Sequence, residues 1–241
     1  MRNAVAVVLG VLLAGCAYSY KPCHRSPLIE LSSTSAGWSG EARGLRRHAA
    51  WFEEAIVRMA DDFDVPLEDV IPVRVYHDGR AGRSYYNRLT RSIVLRGEAT
   101  RGVFVHELSH LLAHRIDRSP AYWSDQALAE YMEARFAPAA PAGDAESAED
   151  RERRLVRRIA QARDPADVLT HLRRDAVDED RGWGLMVVRY LFDERWASEP
   201  LPSKIRRLFG LSDAEVADIA PEVLRFCRRW ELVARASPPA R

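Results

Sequence analysis

The chain has 241 residues, of which 47% are hydrophobic, with 36 Lys and Arg against 35 Asp and Glu. This composition fits one folded domain or two small ones, and it excludes a disordered, fibrous or polytopic membrane protein. A formal net charge of +1 gives no basic field for phosphate binding, so we expect no nucleic-acid partner, and three cysteines are too few for a disulfide scaffold.

The N-terminal residues have the features of an export signal. Arg2 precedes an apolar stretch from Ala4 to Leu13, which is too short to span a bilayer. The segment Leu13-Ala14-Gly15-Cys16 resembles the lipidation motif of bacterial lipoproteins. This resemblance implies a signal peptide over residues 1–15, acylation of Cys16 and a lipid anchor in the bacterial cell envelope. Ala17 favours the outer membrane, facing the periplasm; the alternative is a plain secretory signal.

The segment after the signal lacks hydrophobic periodicity and is rich in Ser, Pro and Gly. We therefore expect residues 16–40 to form a tether and residues 41–241 to form the functional domain, with a lobe break at 137–143 as an option. Export to an oxidising compartment allows a disulfide between Cys23 and Cys227. Burial of Cys227 as a small apolar side chain is the equal alternative.

The predicted elements follow in chain order. Apolar residues at helical spacing predict an amphipathic helix over Leu45 to Phe63. Strands are predicted at Val73–Val75 and at Ser92–Leu95. From Arg101 onward the pattern is helical, with cap signals at Asp164-Pro165 and at the capping box that begins at Ser212. The C-terminal half is therefore predicted to be helical.

The segment from Val103 to Leu112 carries the clearest chemical signal. On a helix His106 and His110, four residues apart, project from one face and can bind one metal ion. Two imidazoles, a carboxylate and a water form the usual open site of Zn²⁺, and Glu107 is placed to activate the zinc-bound water. This motif predicts amide hydrolysis; two unrelated core histidines are the alternative. We expect His114 to be a solvated or supporting histidine.

A resemblance to one class of zinc peptidases extends this prediction. The segment from Trp123 to Glu133, WSDQALAEYME, resembles the helix that carries the third ligand in bacterial peptidase-MA-like gluzincins. The resemblance spans roughly Val73 to Leu191. It implies an α+β, zincin-like fold with a small, mostly antiparallel sheet next to the HExxH metal helix, a helical C-terminal half, and a peptide or protein substrate.

The third ligand is the point at which the chain departs from this family. The family register places Gln126 at the ligand position. Glu130, however, lies 24 residues after His106, a spacing that resembles thermolysin-like gluzincins, and a carboxylate binds zinc better than an amide oxygen. We therefore expect Glu130 as the ligand, with Gln126 or Asp125 as alternatives. If Gln126 takes the position, zinc binding weakens.

Two further expectations come from the same resemblance. Gluzincins hold an extended substrate on a strand beside the metal helix, and Arg91 to Leu95 stands at that place; a plain sheet edge is the alternative. Arg181, His171 and Tyr190 are options for stabilising the oxyanion, and none is favoured.

The sequence thus predicts a zinc-dependent peptidase that hydrolyses peptide bonds in the bacterial cell envelope. The alternative is a catalytically degenerate gluzincin-fold lipoprotein that acts as a binding or structural protein of the envelope. A structural lipoprotein with an accidental motif would bind no metal at all.

Overall fold

A computed structural model of the chain describes residues 21–33, 38–76, 83–96, 101–136, 156–157, 159–160, 164–174 and 182–236. The strands are β1 (Lys21–Arg25), β2 (Ile29–Ser33), β3 (Ile71–Tyr76), β4 (Tyr85–Asn87) and β5 (Ser92–Arg96). The helices are α1 (Trp38–Phe63), α2 (Arg101–Ile116), α3 (Tyr122–Phe136), α4 (Ala166–Arg174), α5 (Trp183–Arg189), α6 (Leu201–Phe209) and α7 (Asp213–Ala236), with a π-helical segment, Tyr190–Arg195, directly after α5. The predicted α+β class is confirmed.

The five strands form one mixed sheet in the order β1-β2-β3-β5-β4. The pairs β2–β3 and β3–β5 are parallel, whereas β1–β2 and β4–β5 are antiparallel. The expectation of a mostly antiparallel sheet is therefore wrong. The helix α1 crosses from β2 to β3, which makes that pair parallel. The chain then reverses twice, into β4 and again into β5, so that β5 runs parallel to β3.

The prediction of a tether over residues 16–40 is wrong for residues 21–33, because these residues form two strands of the sheet and the turn between them. They form the hairpin β1–β2, in which Ile29 and Leu31 are fully buried beside the buried Ser33. Their side chains pack with those of α1 in the core. Small polar residues occupy several positions of this hairpin, and for that reason the apolar alternation typical of a strand is weak in the sequence.

The helix α1 has the amphipathic character that the sequence predicts. Phe52, Ile56, Met59 and Phe63 are buried and face the core beneath the sheet. Phe52 stacks on Phe104 of α2, with ring centroids 4.0 Å apart. This contact joins the first long helix to the helix that carries the HExxH motif.

The helical C-terminal half is confirmed, together with both of its cap signals. The carboxylate of Asp164 accepts a hydrogen bond of 2.8 Å from the backbone N–H of Ala166 at the start of α4. At the start of α7, the carboxylate of Glu215 accepts a hydrogen bond of 2.8 Å from the backbone N–H of Ser212, and the hydroxyl of Ser212 accepts one of 3.3 Å from the backbone N–H of Glu215. These reciprocal contacts form a capping box.

The two cysteines in the described part of the chain are not joined to each other. Cys23 donates a hydrogen bond of 3.3 Å from its thiol to the carbonyl of Leu31, and Cys227 is fully buried on α7. Of the two alternatives that the sequence left open, the structure agrees with the second, in which Cys227 is a buried small apolar residue. Burial raises the pKa of the Cys227 thiol to about 12.

Several predictions fall outside the described residues: the signal peptide at 1–15, Cys16, the lobe break at 137–143 and Arg181. Among the helices that are described, none combines the length and the apolar character needed to cross a membrane.

The first testable prediction concerns the stack that supports α2. Phe104→Ala removes a fully buried ring and leaves a cavity against Phe52, so we expect the free energy of unfolding to fall by about 3–5 kcal/mol. Leu89→Ala, at a side chain 97% exposed, is the control and should change it by less than about 0.5 kcal/mol. Urea unfolding measures both; a loss below about 1 kcal/mol for Phe104→Ala would contradict the packing.

A second prediction concerns the thiols. In a Cys16→Ser chain, Cys23 and Cys227 should resist a thiol reagent at pH 8 in the folded state because both are buried. After unfolding in denaturant without reductant, both should react. A disulfide between them would instead give no reaction in either state until reductant is added.

Candidate metal centre

The helices α2 and α3 pack against each other and bring the predicted site residues into one layer. Apolar residues cover most of α2, and Phe104, Leu108 and Leu112 are fully buried. His106 and His110 lie next to each other on this helix, with ring centroids 5.0 Å apart and ring planes at 78°. The predicted pair of neighbouring imidazoles on a buried helix is therefore present.

The imidazole of His110 lies between two residues of α3. Its Nδ1 atom is 2.9 Å from Oδ1 of Asp125, although the two groups do not align as a hydrogen bond. Its Nε2 atom is 3.2 Å from the amide nitrogen of Gln126. With a proton on Nδ1 facing the carboxylate, Nε2 carries a lone pair, to which the Gln126 amide can donate.

The imidazole of His106 contacts a residue that the sequence analysis did not select. Its Nδ1 atom is 3.3 Å from Oε2 of Glu133, which is also on α3. Burial disfavours the charged form of His106, but the hydrogen bond to Glu133 and the charges of Glu107, Glu133 and Glu130 together raise its pKa. Glu130, the favoured third ligand, is therefore close enough to act on His106 electrostatically.

The carboxyl group of Glu107 is almost completely buried, at 6% exposure. Burial raises its pKa, while the charges of His106 and His110 and a hydrogen bond from the backbone N–H of Tyr86 act in the opposite direction. Tyr86 belongs to β4, so the carboxyl group of Glu107 lies between α2 and the outer strand β4 of the described sheet.

The side chain of His114 is largely buried rather than solvated. Its side chain is 7% exposed, its Nε2 atom is 3.4 Å from Oδ2 of Asp125, and its ring stacks on Tyr86 with centroids 5.7 Å apart. Burial lowers the pKa of His114. Arg88 also approaches Oδ2 of Asp125, at 3.8 Å. Asp125 thus connects two histidines of α2 with the turn that follows β4.

The donor set fits a zinc ion in part. His106 and His110 each have a carboxylate oxygen at Nδ1, the usual support of zinc-bound histidines, which leaves Nε2 for a metal. In the described part of the chain, however, no three His, Cys, Asp or Glu side chains are arranged as a metal-binding group. The group beside Nε2 of His110 is the amide of Gln126.

Glu133 is the residue that sequence reasoning missed. It lies three residues after Glu130 and seven after Gln126, which places all three on one face of α3. This spacing was the available signal. It could not show which of the three would contact which histidine, because that depends on how α3 is rotated against α2.

The segment that was expected to hold an extended substrate does not lie at an edge of the sheet. Arg91 to Leu95 falls mainly in β5, which is an interior strand between β3 and β4. The outer strand on this side of the described sheet is β4, and it also packs against α2.

Two of the three candidates for stabilising the oxyanion lie in the described part of the chain, and both contact other side chains. Tyr190 donates a hydrogen bond to Glu222 of α7, and the ring of His171 stacks on that of Trp183 with centroids 4.4 Å apart.

In comparisons with known proteins, no family model and no curated protein matches this chain.

A prediction about stability follows from the burial of Glu107. Its pKa is higher in the folded chain than its ordinary value of 4.5, so the folded state loses stability as the pH rises above 4.5. Glu107→Gln removes this cost, and we expect the variant to be more stable than the parent chain at pH 7. The difference should shrink as the pH falls below 4.5, as measured by urea unfolding across pH.

The matched control for this prediction is Glu54→Gln, at a side chain 63% exposed on α1. Its effect should stay within about 0.5 kcal/mol at every pH. If the Glu107→Gln chain is less stable than the parent at pH 7, the folded state stabilises the charged Glu107 carboxylate, and the prediction is contradicted.

Proposed function

We propose that this protein is a zinc-dependent peptidase with a gluzincin-like, zincin-type fold that acts in the bacterial cell envelope. The observation that carries the proposal is the pair of neighbouring imidazoles on α2, His106 and His110, each with a carboxylate at Nδ1 and both beside the buried Glu107. This combination is much more specific than two histidines in a core.

In the proposal, His106 and His110 hold Zn²⁺ through Nε2, and Glu130 supplies the third protein ligand. Glu130 acts electrostatically on His106, and its carboxylate is a better zinc ligand than the amide of Gln126. When bound, zinc supplies Lewis acidity, which polarises a peptide carbonyl and acidifies water.

Glu107 provides the proton transfer. Its carboxylate oxygens accept a proton from the attacking water and later deliver it to the nitrogen of the leaving amine, without a covalent intermediate. Burial raises the pKa of Glu107, which brings the group closer to the range where it can both accept and release a proton near neutral pH.

The edge of β4 is the proposed place for the substrate backbone. An extended peptide can add to an open strand edge through main-chain hydrogen bonds. In support of this proposal, the backbone N–H of Tyr86 in β4 donates a hydrogen bond to Glu107, so this strand lies next to the proposed base.

A second candidate function is a degenerate gluzincin-fold protein that binds a partner without catalysis. The observation in its favour is the Gln126 amide, 3.2 Å from Nε2 of His110, which is the atom needed for zinc. An amide at this position is a poor zinc ligand and competes for the lone pair of the imidazole.

The proposal is tested by zinc content and hydrolysis in the purified chain. We expect about one zinc per chain, by the stoichiometry of a mononuclear catalytic site. His110→Ala and Glu130→Ala should lose the metal, whereas Gln126→Ala should keep it. With fluorescein-labelled casein as the probe, Glu107→Gln should keep zinc and lower kcat/KM about 10²–10⁴-fold.

The outcomes separate the two candidates. Zinc binding with hydrolysis that depends on Glu107 supports the peptidase. A parent chain that takes up no zinc from a metal-containing buffer contradicts it and favours the degenerate protein. If Gln126→Ala loses the zinc and Glu130→Ala keeps it, the third ligand is Gln126 instead of Glu130.

The envelope location gives a separate prediction. We propose that Cys16 is acylated, so the complete chain expressed in a Gram-negative host should fractionate with the membranes. Cys16→Ser should move most of it to the soluble fraction, since a cysteine is needed for the lipid. Cys23→Ser is the matched control and should stay with the membranes. Membrane association that persists in Cys16→Ser contradicts the anchor.

A further inference from the structure

We propose that the end of the domain with the β4–β5 turn docks onto a bilayer of anionic phospholipids and that Leu89 enters the lipid. The inference rests on the envelope location in the proposed function. It goes beyond a lipid anchor, because it assigns a second membrane contact to the folded domain itself. It does not depend on zinc or on catalysis.

The first observation is the turn between β4 and β5, residues 88–91. Its Leu89 side chain is 97% exposed, the most exposed large apolar side chain in the part of the chain that the structure describes. The side-chain oxygen of Asn87 accepts hydrogen bonds of 3.0 Å and 3.2 Å from the backbone N–H groups of Leu89 and Thr90. These bonds hold the turn in one shape, so inserting Leu89 into lipid orders little additional backbone.

Leu89 is not an isolated apolar residue. Val70, directly before β3, is 37% exposed, and Tyr122, at the start of α3, is 54% exposed. Because β3 and β5 are parallel, Val70 and the turn before β5 lie at the same end of the sheet. The 3.8 Å contact of Arg88 with Asp125 places the start of α3 there as well. Single exposed apolar residues are ordinary, whereas three at one end indicate an interaction surface.

Two arginines flank Leu89 in the turn. Arg88 and Arg91 are 60% and 78% exposed, and their carboxylate partners, Asp125 and Asp69, are 3.8 Å and 3.9 Å away. Both distances are near the 4 Å limit of an ion pair, so these contacts are weak. The guanidinium groups can therefore bind lipid phosphates while their apolar stems lie beside the acyl chains.

The wider surface is modestly basic. Residues 83–96, which contain the whole hairpin, include four arginines and no acidic residue. Arg115, whose guanidinium donates to the carbonyl of Pro66 just before β3, and Arg118 are exposed at the same end, as are the acids Glu68 and Asp69. This balance favours anionic over neutral lipid and leaves the apolar contact as the main attraction.

A bilayer fits this end better than a protein partner does. The turn is a projecting apex, and an apex offers a protein much less than the roughly 800 Å² per side of a stable interface. A bilayer surrounds a projecting side chain without a complementary cavity. Apolar residues flanked by cationic ones are typical of surfaces that lie in the headgroup region.

The proposed anchor can reach the same bilayer. Lys21 begins β1 at one outer edge of the sheet, and Leu89 lies beside the other edge, at the opposite end of the strands. Five strands about 4.8 Å apart span about 19 Å, and the connection from Cys16 to Lys21 can extend to a similar length. The domain can therefore lie along the membrane with Leu89 and the acyl chains of Cys16 in one leaflet.

The test measures binding of the purified full chain to vesicles by sedimentation, in a Cys16→Ser background that lacks acyl chains. On vesicles of phosphatidylglycerol and phosphatidylethanolamine, Leu89→Asp should weaken binding about 10-fold, since it removes a buried leucine. Arg91→Gln should weaken it about 5-fold, and only on these anionic vesicles, not on phosphatidylcholine. Val57→Asp, at a side chain 42% exposed on α1, is the matched control and should bind like the parent.

A local probe shows which residue enters the lipid. The environment-sensitive fluorophore NBD is attached to Leu89→Cys in the same background, where the buried Cys23 and Cys227 are protected from labelling. Its emission should shift to shorter wavelength on anionic vesicles. The same label on Val57→Cys should keep its emission in water.

The outcomes are decisive for the docking surface. Equal vesicle binding by Leu89→Asp and Val57→Asp, or no spectral shift at position 89, overturns the proposal. A label at 89 that shifts with soluble polyglutamate and not with vesicles would assign this end to an acidic protein instead. None of these readouts uses zinc or Cys16, so the peptidase and the anchor stand or fall by their own experiments.

Discussion

The burial of charged and polar groups between α2 and α3 is the constraint on which the rest of the structure depends. Asp125 is 5% exposed and lies against the buried His110 and the side chain of His114, while the partly exposed Glu133 lies against His106. Buried groups of this kind are costly unless each has a partner. A shift of one helix along the other would separate several of these pairs at once, so the pairs fix the register of the two helices.

The apolar core and the sheet hold this polar layer from two sides. The stack of Phe52 on Phe104 fixes α2 against α1. On the other side Tyr86 contacts both Glu107, through its backbone N–H, and His114, through its ring. The outer strand β4 therefore contacts residues of the candidate metal centre. Any movement of β4 would also displace Glu107, the proposed general base.

Much of the fold and part of the site could be predicted from the sequence. Periodicity indicated α1, and the spacing of His106 and His110 correctly placed them together on a buried helix. The hairpin β1–β2 was missed because buried Ser32 and Ser33 interrupt its apolar pattern, and β4 has only three residues. Glu133 could not be selected, since its contact with His106 depends on the rotation of α3 against α2.

The hairpin β1–β2 has a consequence for where this protein can work. The sheet begins at Lys21, only five residues after Cys16. If Cys16 carries the proposed lipid, these residues span at most about 18 Å even when fully extended. The folded domain would then be confined to a thin layer next to the bilayer. Its range of action would be set by lateral diffusion within the membrane plane, and its targets would be molecules that are themselves at that surface.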